Sequence, residues 1–420
     1  MKLSRKQPLK NTLRNTNNKN KLKNYRVMKL TNLILSASVA AMALVACNKQ
    51  ETTPQAGSST LKTVEVSLEN VIFTKGVAGP KVNDGDKVIV NTFQIFLTDA
   101  SGNEYTGKTS TGAEAKSYWN QTDLAGGIPA TADFHFVDPN CTKVVAVANY
   151  DQPFASYAEF LTASQSPLLI DEQQDHTNLV LYDESTNFTK TQSHDDTATD
   201  ANGNSVTYTS DVYSVELVLT PRVSRFEVDG FAVKFNATPK YQEIKISQLA
   251  FQNYYPETHA VTGVETGVPV NHIADLSKQA AVYAWLNDTS KQADWYWDAC
   301  DLTITPSSPA KNFPDDLADD TDGPRAYHIF SCDGTVPQFV IALTADGQPA
   351  YLYTRNFNDE NGDPVTEFEE GKIYRMSGEG EVAGKGAIEI PEDKIDPMDR
   401  CLDIKVEVKQ WEVALITPEF

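Results

Sequence analysis

The sequence predicts an all-β protein built of β-sandwiches. Three observations carry this. Short stretches in which apolar and polar residues alternate recur along the whole length. Clusters of Asn, Asp and Gly fall between them, the chemistry of tight turns. Stretches with helical periodicity are few, and 22 Gly and 21 Pro argue against an all-α chain.

The first strand is expected over Leu61–Phe73, where Val64, Val66 and Leu68 alternate with Glu65, Ser67 and Glu69. Further strands are expected at Lys87–Leu97, Lys143–Ala148, Val212–Leu219, Ser224–Phe235 and Glu243–Phe251. Later ones are expected at Ala326–Phe330, Gln338–Leu343, Ala350–Thr354, Lys372–Met376 and Leu402–Ile416. Turn signals such as Asn83-Asp84-Gly85, Asp229-Gly230, Asp346-Gly347 and Asn361-Gly362 separate them. Two helices are expected, Ser156–Ala163 and Asn271–Leu286. Pro221 would break a ladder, so the body is divided near Thr220 into residues 61–220 and 221–420.

The N-terminus reads as an address. Leu30 to Ala46 is an apolar run behind Lys29 that ends in small residues, as in a signal peptide. It is short for a membrane span. Leu44-Val45-Ala46-Cys47 matches a lipobox, which makes Cys47 the expected lipidation site. Met28 is read as the start, residues 1–27 as an upstream extension, 28–46 as the signal peptide and 47–60 as a polar tether.

Charge sets limits on partners. Of 36 Lys and Arg, ten lie in residues 1–46, where there is no acid. That leaves 26 against all 57 Asp and Glu for residues 47–420, a net of −31. Such a body repels phosphate, and nucleic acid is not an expected partner.

The sequence holds little catalytic chemistry. It has no HExxH, GxSxG or Walker loop, and its six His are scattered. Gly378–Ala383 matches GxGxxA but carries two glutamates where a phosphate would sit. Ser59–Lys62 and Ser308–Lys311 match SxxK without companion motifs. Asp315, Asp316, Asp319, Asp320 and Asp322 crowd one loop, yet Ala318 breaks the EF-hand spacing. Asp200, Asn202 and Asn204 are a similar weak set. Both read as solvated loops, so no metal, no cofactor and no enzymatic activity are expected. Cys141, Cys300, Cys332 and Cys401 lack CxxC spacing. In an exported chain they are either disulfides or buried thiols. Tyr283, Trp285, Trp295, Tyr296 and Trp297 form an aromatic concentration that serves either a core or a sugar-stacking face.

The C-terminus has the cleanest alternation. Leu402, Ile404, Val406 and Val408 share one face. The parity slips at Lys409-Gln410 and resumes with Trp411, Val413 and Leu415. The stretch reads either as the last strand of its own sheet or as a strand offered to another subunit.

Taken in order, several segments make the chain resemble a Bacteroidales fimbrillin, a type V pilin. They are the lipobox, the first strand, Lys143–Tyr150 followed by a short helix, Thr220–Phe226, Lys372–Arg375 and Val406–Phe420. The resemblance spans the exported chain. It implies two transthyretin-like β-sandwiches, export as a lipoprotein anchored in the outer membrane, and a proteolytic cut after the first strand. It also implies polymerisation, in which the C-terminal strand of a neighbouring copy or related subunit fills the vacated groove. The resulting fimbria would support adhesion or biofilm formation.

Carried onto this sequence, the expelled strand holds Val64, Val66, Leu68, Val71 and Phe73. The donor strand, within 402–420, holds Leu402, Ile404, Val406, Val408, Trp411, Val413 and Leu415. Members of the family are cut after Arg, but this chain has no Arg between Cys47 and Arg222. The expected cut is Lys75-Gly76, with Lys81 as the alternative. A subunit left uncut would keep its lipid and could donate a strand but not accept one, which suits an anchor. A second class of function stands beside this one, a surface glycan-binding lipoprotein of a polysaccharide uptake system.

Overall fold

The computed structural model describes residues 61–68, 71–73, 88–124, 131–150, 153–175, 178–199, 203–291, 293–313, 325–333, 336–359, 361–377, 387–395, 400–410 and 413–415. All of them belong to one compact unit, and the fold is all-β with few, short helices.

Residues before Thr220 supply seven main strands. They are β1 (Lys62–Leu68), β2 (Phe93–Thr98), β3 (Thr131–Val137), β4 (Lys143–Ala148), β5 (Leu181–Ser185), β6 (Thr189–Thr199) and β7 (Ser205–Leu217). One sheet has the order β6-β7-β1-β3. The other runs from Thr220–Pro221 through β5, β4 and β2 to Glu104–Tyr105. Pro221 sits at the edge of that second sheet, where its missing N–H is harmless.

Residues after Pro221 supply ten more. They are β8 (Val223–Val228), β9 (Gly230–Lys234), β10 (Ile244–Gln252), β11 (Trp297–Ile304), β12 (Arg325–Phe330), β13 (Gln338–Ala345), β14 (Gln348–Asn358), β15 (Lys372–Ser377), β16 (Ala387–Pro391) and β17 (Cys401–Gln410). The large sheet has the order β11-β10-β13-β14-β17-β15-β8-β12, and a small one joins Ala310–Asn312, β9 and β16.

Strand pairing thus changes sets at Thr220–Pro221, but the core does not stop there. One apolar cluster includes Val64, Phe93 and Val215 from the first set and Phe226, Phe251 and Val406 from the second. Leu168–Leu169 also pairs with Glu257–Thr258 across the junction. Arg222 donates from Nε to the Ala260 carbonyl (2.7 Å) and from Nη2 to that of Val261 (2.8 Å), and it pairs with Glu370.

Several elements differ from expectation for local reasons. The run Ser224–Phe235 is two strands in two sheets, broken at Asp229-Gly230. A Cβ on Gly230 would stand 2.3 Å from the Lys311 carbonyl oxygen, so only glycine allows that approach. The helix α1 (Tyr157–Ala163) is as expected, and Ser156 caps it by accepting from the Glu159 N–H (3.2 Å). Of Asn271–Leu286, only α2 (Gln279–Leu286) is helical. Upstream, Asp275 accepts from the Ser277 N–H (3.0 Å) and hydroxyl (2.6 Å), a turn that competes with helix. The strands β3, β5, β6, β11 and β16 lie outside the expected runs. β6 is mostly exposed Thr, Ser, His and Asp, with no apolar alternation to reveal it.

Candidate functional site

β1 is the first described strand, and it lies inside its sheet. It pairs in parallel with β7, from Lys62 opposite Asp211 to Leu68 opposite Leu217. On its other side it pairs antiparallel with β3, Val64 opposite Phe134 and Val66 opposite Ala132. Val64 and Val66 are fully buried in the main core. Burying two valines contributes roughly 3–6 kcal/mol. The side chain of Leu68 lies outside the described residues.

The opposite face of β1 is buried at its start, where Leu61 and Thr63 lie, and half-buried at Glu65 and Ser67. Leu61 packs with Phe136, Ala198 and Tyr208. Thr63 enters a polar pocket. Its hydroxyl lies 3.0 Å from Ser210 Oγ, 3.3 Å from Asp196 Oδ2 and 3.3 Å from His135 Nδ1. Asp196 is fully buried, and Ser210 donates to its Oδ2 at 3.1 Å. Its Oδ1 has no aligned donor, although His135 Nδ1 is 2.7 Å and His194 Nε2 3.5 Å away.

Lys62 is buried at the start of the strand. Its ammonium donates to the Cys141 carbonyl and sits 4.2 Å over the Phe188 ring. Burial lowers its pKa below the ordinary lysine value, against the nearby Cys141 and Asp138.

The C-terminal stretch divides into two parts with different surroundings. Leu402, Ile404 and Val406 are buried in the chain's own large sheet. There β17 pairs in parallel with β14 and antiparallel with β15, so both of its edges are occupied. Val408 continues that strand opposite Tyr374. Beyond it, Val413–Leu415 forms a short strand of another three-stranded sheet. Val413 pairs in parallel with Val71 and Leu415 with Phe73, while Val88 and Ile89 flank the other side. The end of the chain thereby meets the continuation of the first strand. Trp411, Cys47, Lys75, Gly76 and Lys81 lie outside the described residues.

The remaining candidates divide between described and undescribed residues. Cys141, Cys300 and Cys401 are free thiols, and burial pushes the first two up to about 11 and about 12. The side chain of Cys332 is outside the described residues, as are the 315–322 acidic loop, Asp200 and Asn202. Among the described residues, no group of His, Cys, Asp or Glu is placed to hold a metal ion.

The aromatic concentration is partly in the core, with Tyr283, Trp295 and Trp297 half-buried against it. Trp285 and Tyr296 are buried, His272 stacks on both (5.2 and 4.2 Å between ring centres), and Trp295 packs edge-on against Tyr254 at 4.6 Å. An open cavity of about 500 Å³ at the junction of the two strand sets is lined by Asp183, Glu184, Arg222, Glu367, Glu369 and Glu370, among others. Arg222 pairs with Glu370, Lys143 with Glu184 and Lys372 with Glu369.

Comparison with known proteins gives no matching family model and no matching curated protein. Solved structures are similar at low identity. A fimbrilin from Porphyromonas gingivalis W83 has 10% identity and a TM-score of 0.45, covering 84% of this chain and 99% of that one. A protein assigned to cell adhesion from Bacteroides eggerthii DSM 20697 has 11% identity and a TM-score of 0.44, covering 87% and 100%. A fimbrial assembly protein from Parabacteroides distasonis ATCC 8503 has 10% identity and a TM-score of 0.34, covering 75% and 89%.

Proposed function

We propose that this chain is a structural subunit of a cell-surface fimbria that polymerises by strand replacement. One observation carries the reading: the first described strand is interior to its sheet, bonded on both edges by β7 and β3. A single cut after it makes it removable. Its loss would leave two rows of unpaired backbone groups and the sites of Val64 and Val66 open to water. A strand from another copy restores both. A head-to-tail contact of this kind does not close, and repetition gives a fibre.

The donor is the segment beyond Gln410. Donating Leu402, Ile404 and Val406 would tear the middle out of the large sheet, whereas Val413–Leu415 belongs only to a small three-stranded sheet, between Val71–Phe73 and Val88–Ile89. In this reading Cys47 carries the lipid of the exported precursor, Lys75-Gly76 is the maturation cut, and two sandwiches meet at Thr220. The glycan-binding alternative keeps only Tyr283, Trp295 and Trp297, which are half-buried, because Trp285 and Tyr296 are buried in the core.

Limited trypsin treatment of residues 48–420, followed by an unheated detergent gel, tests the proposal. A regular ladder with a new N-terminus at Gly76 is expected. A trimmed monomer without a ladder overturns strand replacement.

A further inference from the structure

A short three-stranded sheet joins the continuation of β1 to the continuation of β17. Val413–Leu415 is its middle strand. It pairs in parallel with Val71 and Phe73 on one edge and with Val88 and Ile89 on the other. Two of these segments extend strands that are anchored in the core. Val71–Phe73 follows β1, fixed there by Val64 and Val66, and Val413–Leu415 follows β17, fixed by Leu402, Ile404 and Val406.

The maturation cut would separate the two flanks of that middle strand. Lys75-Gly76 comes after Phe73 in the chain, so Val71–Phe73 stays on the fragment that carries β1. Val88 and Ile89 stay with the body. When β1 leaves, Val413–Leu415 loses one whole edge and keeps only the two-residue strand Val88–Ile89 beside it. A parallel pair that short does not hold in water, where a small sheet needs three or more strands. The segment is then free to leave.

We propose that Val71–Phe73 is an autoinhibitory clamp on the donor segment: while the first strand is in place, its continuation pairs with Val413–Leu415 and keeps them out of a neighbour's groove. Resting on the strand-replacement reading, one cut then does two things. It opens the acceptor groove and it releases the donor. An uncut chain neither accepts nor donates, which removes the anchor role expected of such a subunit. The clamp also keeps a free strand edge off the precursor, where it would invite misplaced pairing.

The test has two arms, both on the full chain. In the first, native-state hydrogen exchange of the 413–415 amides is measured in uncut chain. The natural chain is compared with one carrying both Val71→Pro and Phe73→Pro, which take two N–H groups from the ladder. Exchange at 413–415 is expected to be roughly tenfold faster or more in the altered chain. The amides of Val64 and Val66 should not change. If the prolines also loosen β1 or prevent folding, the milder pair Val71→Gly and Phe73→Gly replaces them. Unchanged exchange at 413–415 overturns the clamp.

In the second arm, natural chain is cut with trypsin, the trypsin is inhibited, and an equal amount of uncut chain is added before the ladder grows. Uncut natural chain should leave the ladder as it is. Uncut chain with the altered 71–73 segment has a free donor and a filled groove, so it should cap the growing ends and remove the higher rungs. Equal shortening by both overturns the clamp, because the donor is then free before the cut. No shortening by either overturns it too, because losing the contact does not free the donor. No ladder from cut chain alone overturns strand replacement, and the exchange arm still decides whether Val71–Phe73 holds Val413–Leu415.

Discussion

Glu227 on β8 and Arg375 on β15, 148 residues apart in the chain, meet in the core. Arg375 donates from Nε and Nη2 to Glu227 Oε2, at 3.0 and 2.8 Å. Arg225 donates to the other carboxylate oxygen at 2.8 Å. Glu227 is 1% exposed, so this carboxylate has exchanged water for two guanidinium groups. The parallel pairing of β8 with β15, Glu227 opposite Arg375, sets the geometry.

Removing the carboxylate alone takes a buried counter-charge from both Arg225 and Arg375. Glu227→Leu should therefore destabilise the fold by about 3–5 kcal/mol. Urea unfolding followed by circular dichroism measures it, and a midpoint unchanged from the natural chain would refute the assignment.

The C-terminal strand makes a prediction about truncation. A chain ending after Gln410 keeps β17 and should unfold within a few degrees of the full chain. A chain ending after Arg400 loses Leu402, Ile404 and Val406 from the centre of the large sheet. Each such loss costs roughly 2–5 kcal/mol, so the shorter chain should be insoluble. Expression and thermal melts of the two truncations decide the matter.

Lys62 gives a pH dependence with a defined sign. Its pKa in the folded chain lies below the 10.5 of the free side chain, chiefly through burial. Between those values the unfolded chain binds more protons, so stability rises with pH there. The unfolding free energy of the natural chain should increase relative to Lys62→Met as pH climbs toward 10.5. A constant or shrinking difference would mean that the ammonium is solvated in the folded chain.

Trp285 separates core from binding surface. It is 8% exposed and stacked on His272. Trp285→Ala should cost about 3–5 kcal/mol in urea unfolding. A stable variant that lost binding on a glycan array would instead restore the sugar-platform reading.

How much of this was legible beforehand depends on the residue type. The face holding Val64 and Val66 is visible in the sequence because a half-buried strand alternates. The turn at Asp229-Gly230 is visible as a dipeptide. That it sends β8 and β9 into different sheets is not, because the approach of Lys311 is a distant contact. The pocket under Thr63 left no trace. Its members stand at positions 63, 135, 196 and 210 in four different strands, and each alone reads as a surface polar residue.

The sequence by itself determined the all-β class, most of the apolar strands, the place of α1 and the alternation at both ends. These follow from local periodicity and turn chemistry, which need no distant partner. Only the tertiary structure decided that β1 lies inside its sheet, that Leu402, Ile404 and Val406 belong to the chain's own core, and that Val413–Leu415 meets Val71–Phe73. Strand pairing is a contact between segments far apart in the chain. The backbone groups that make it are the same at every residue, so the sequence shows which face a strand buries but not which strands it lies between.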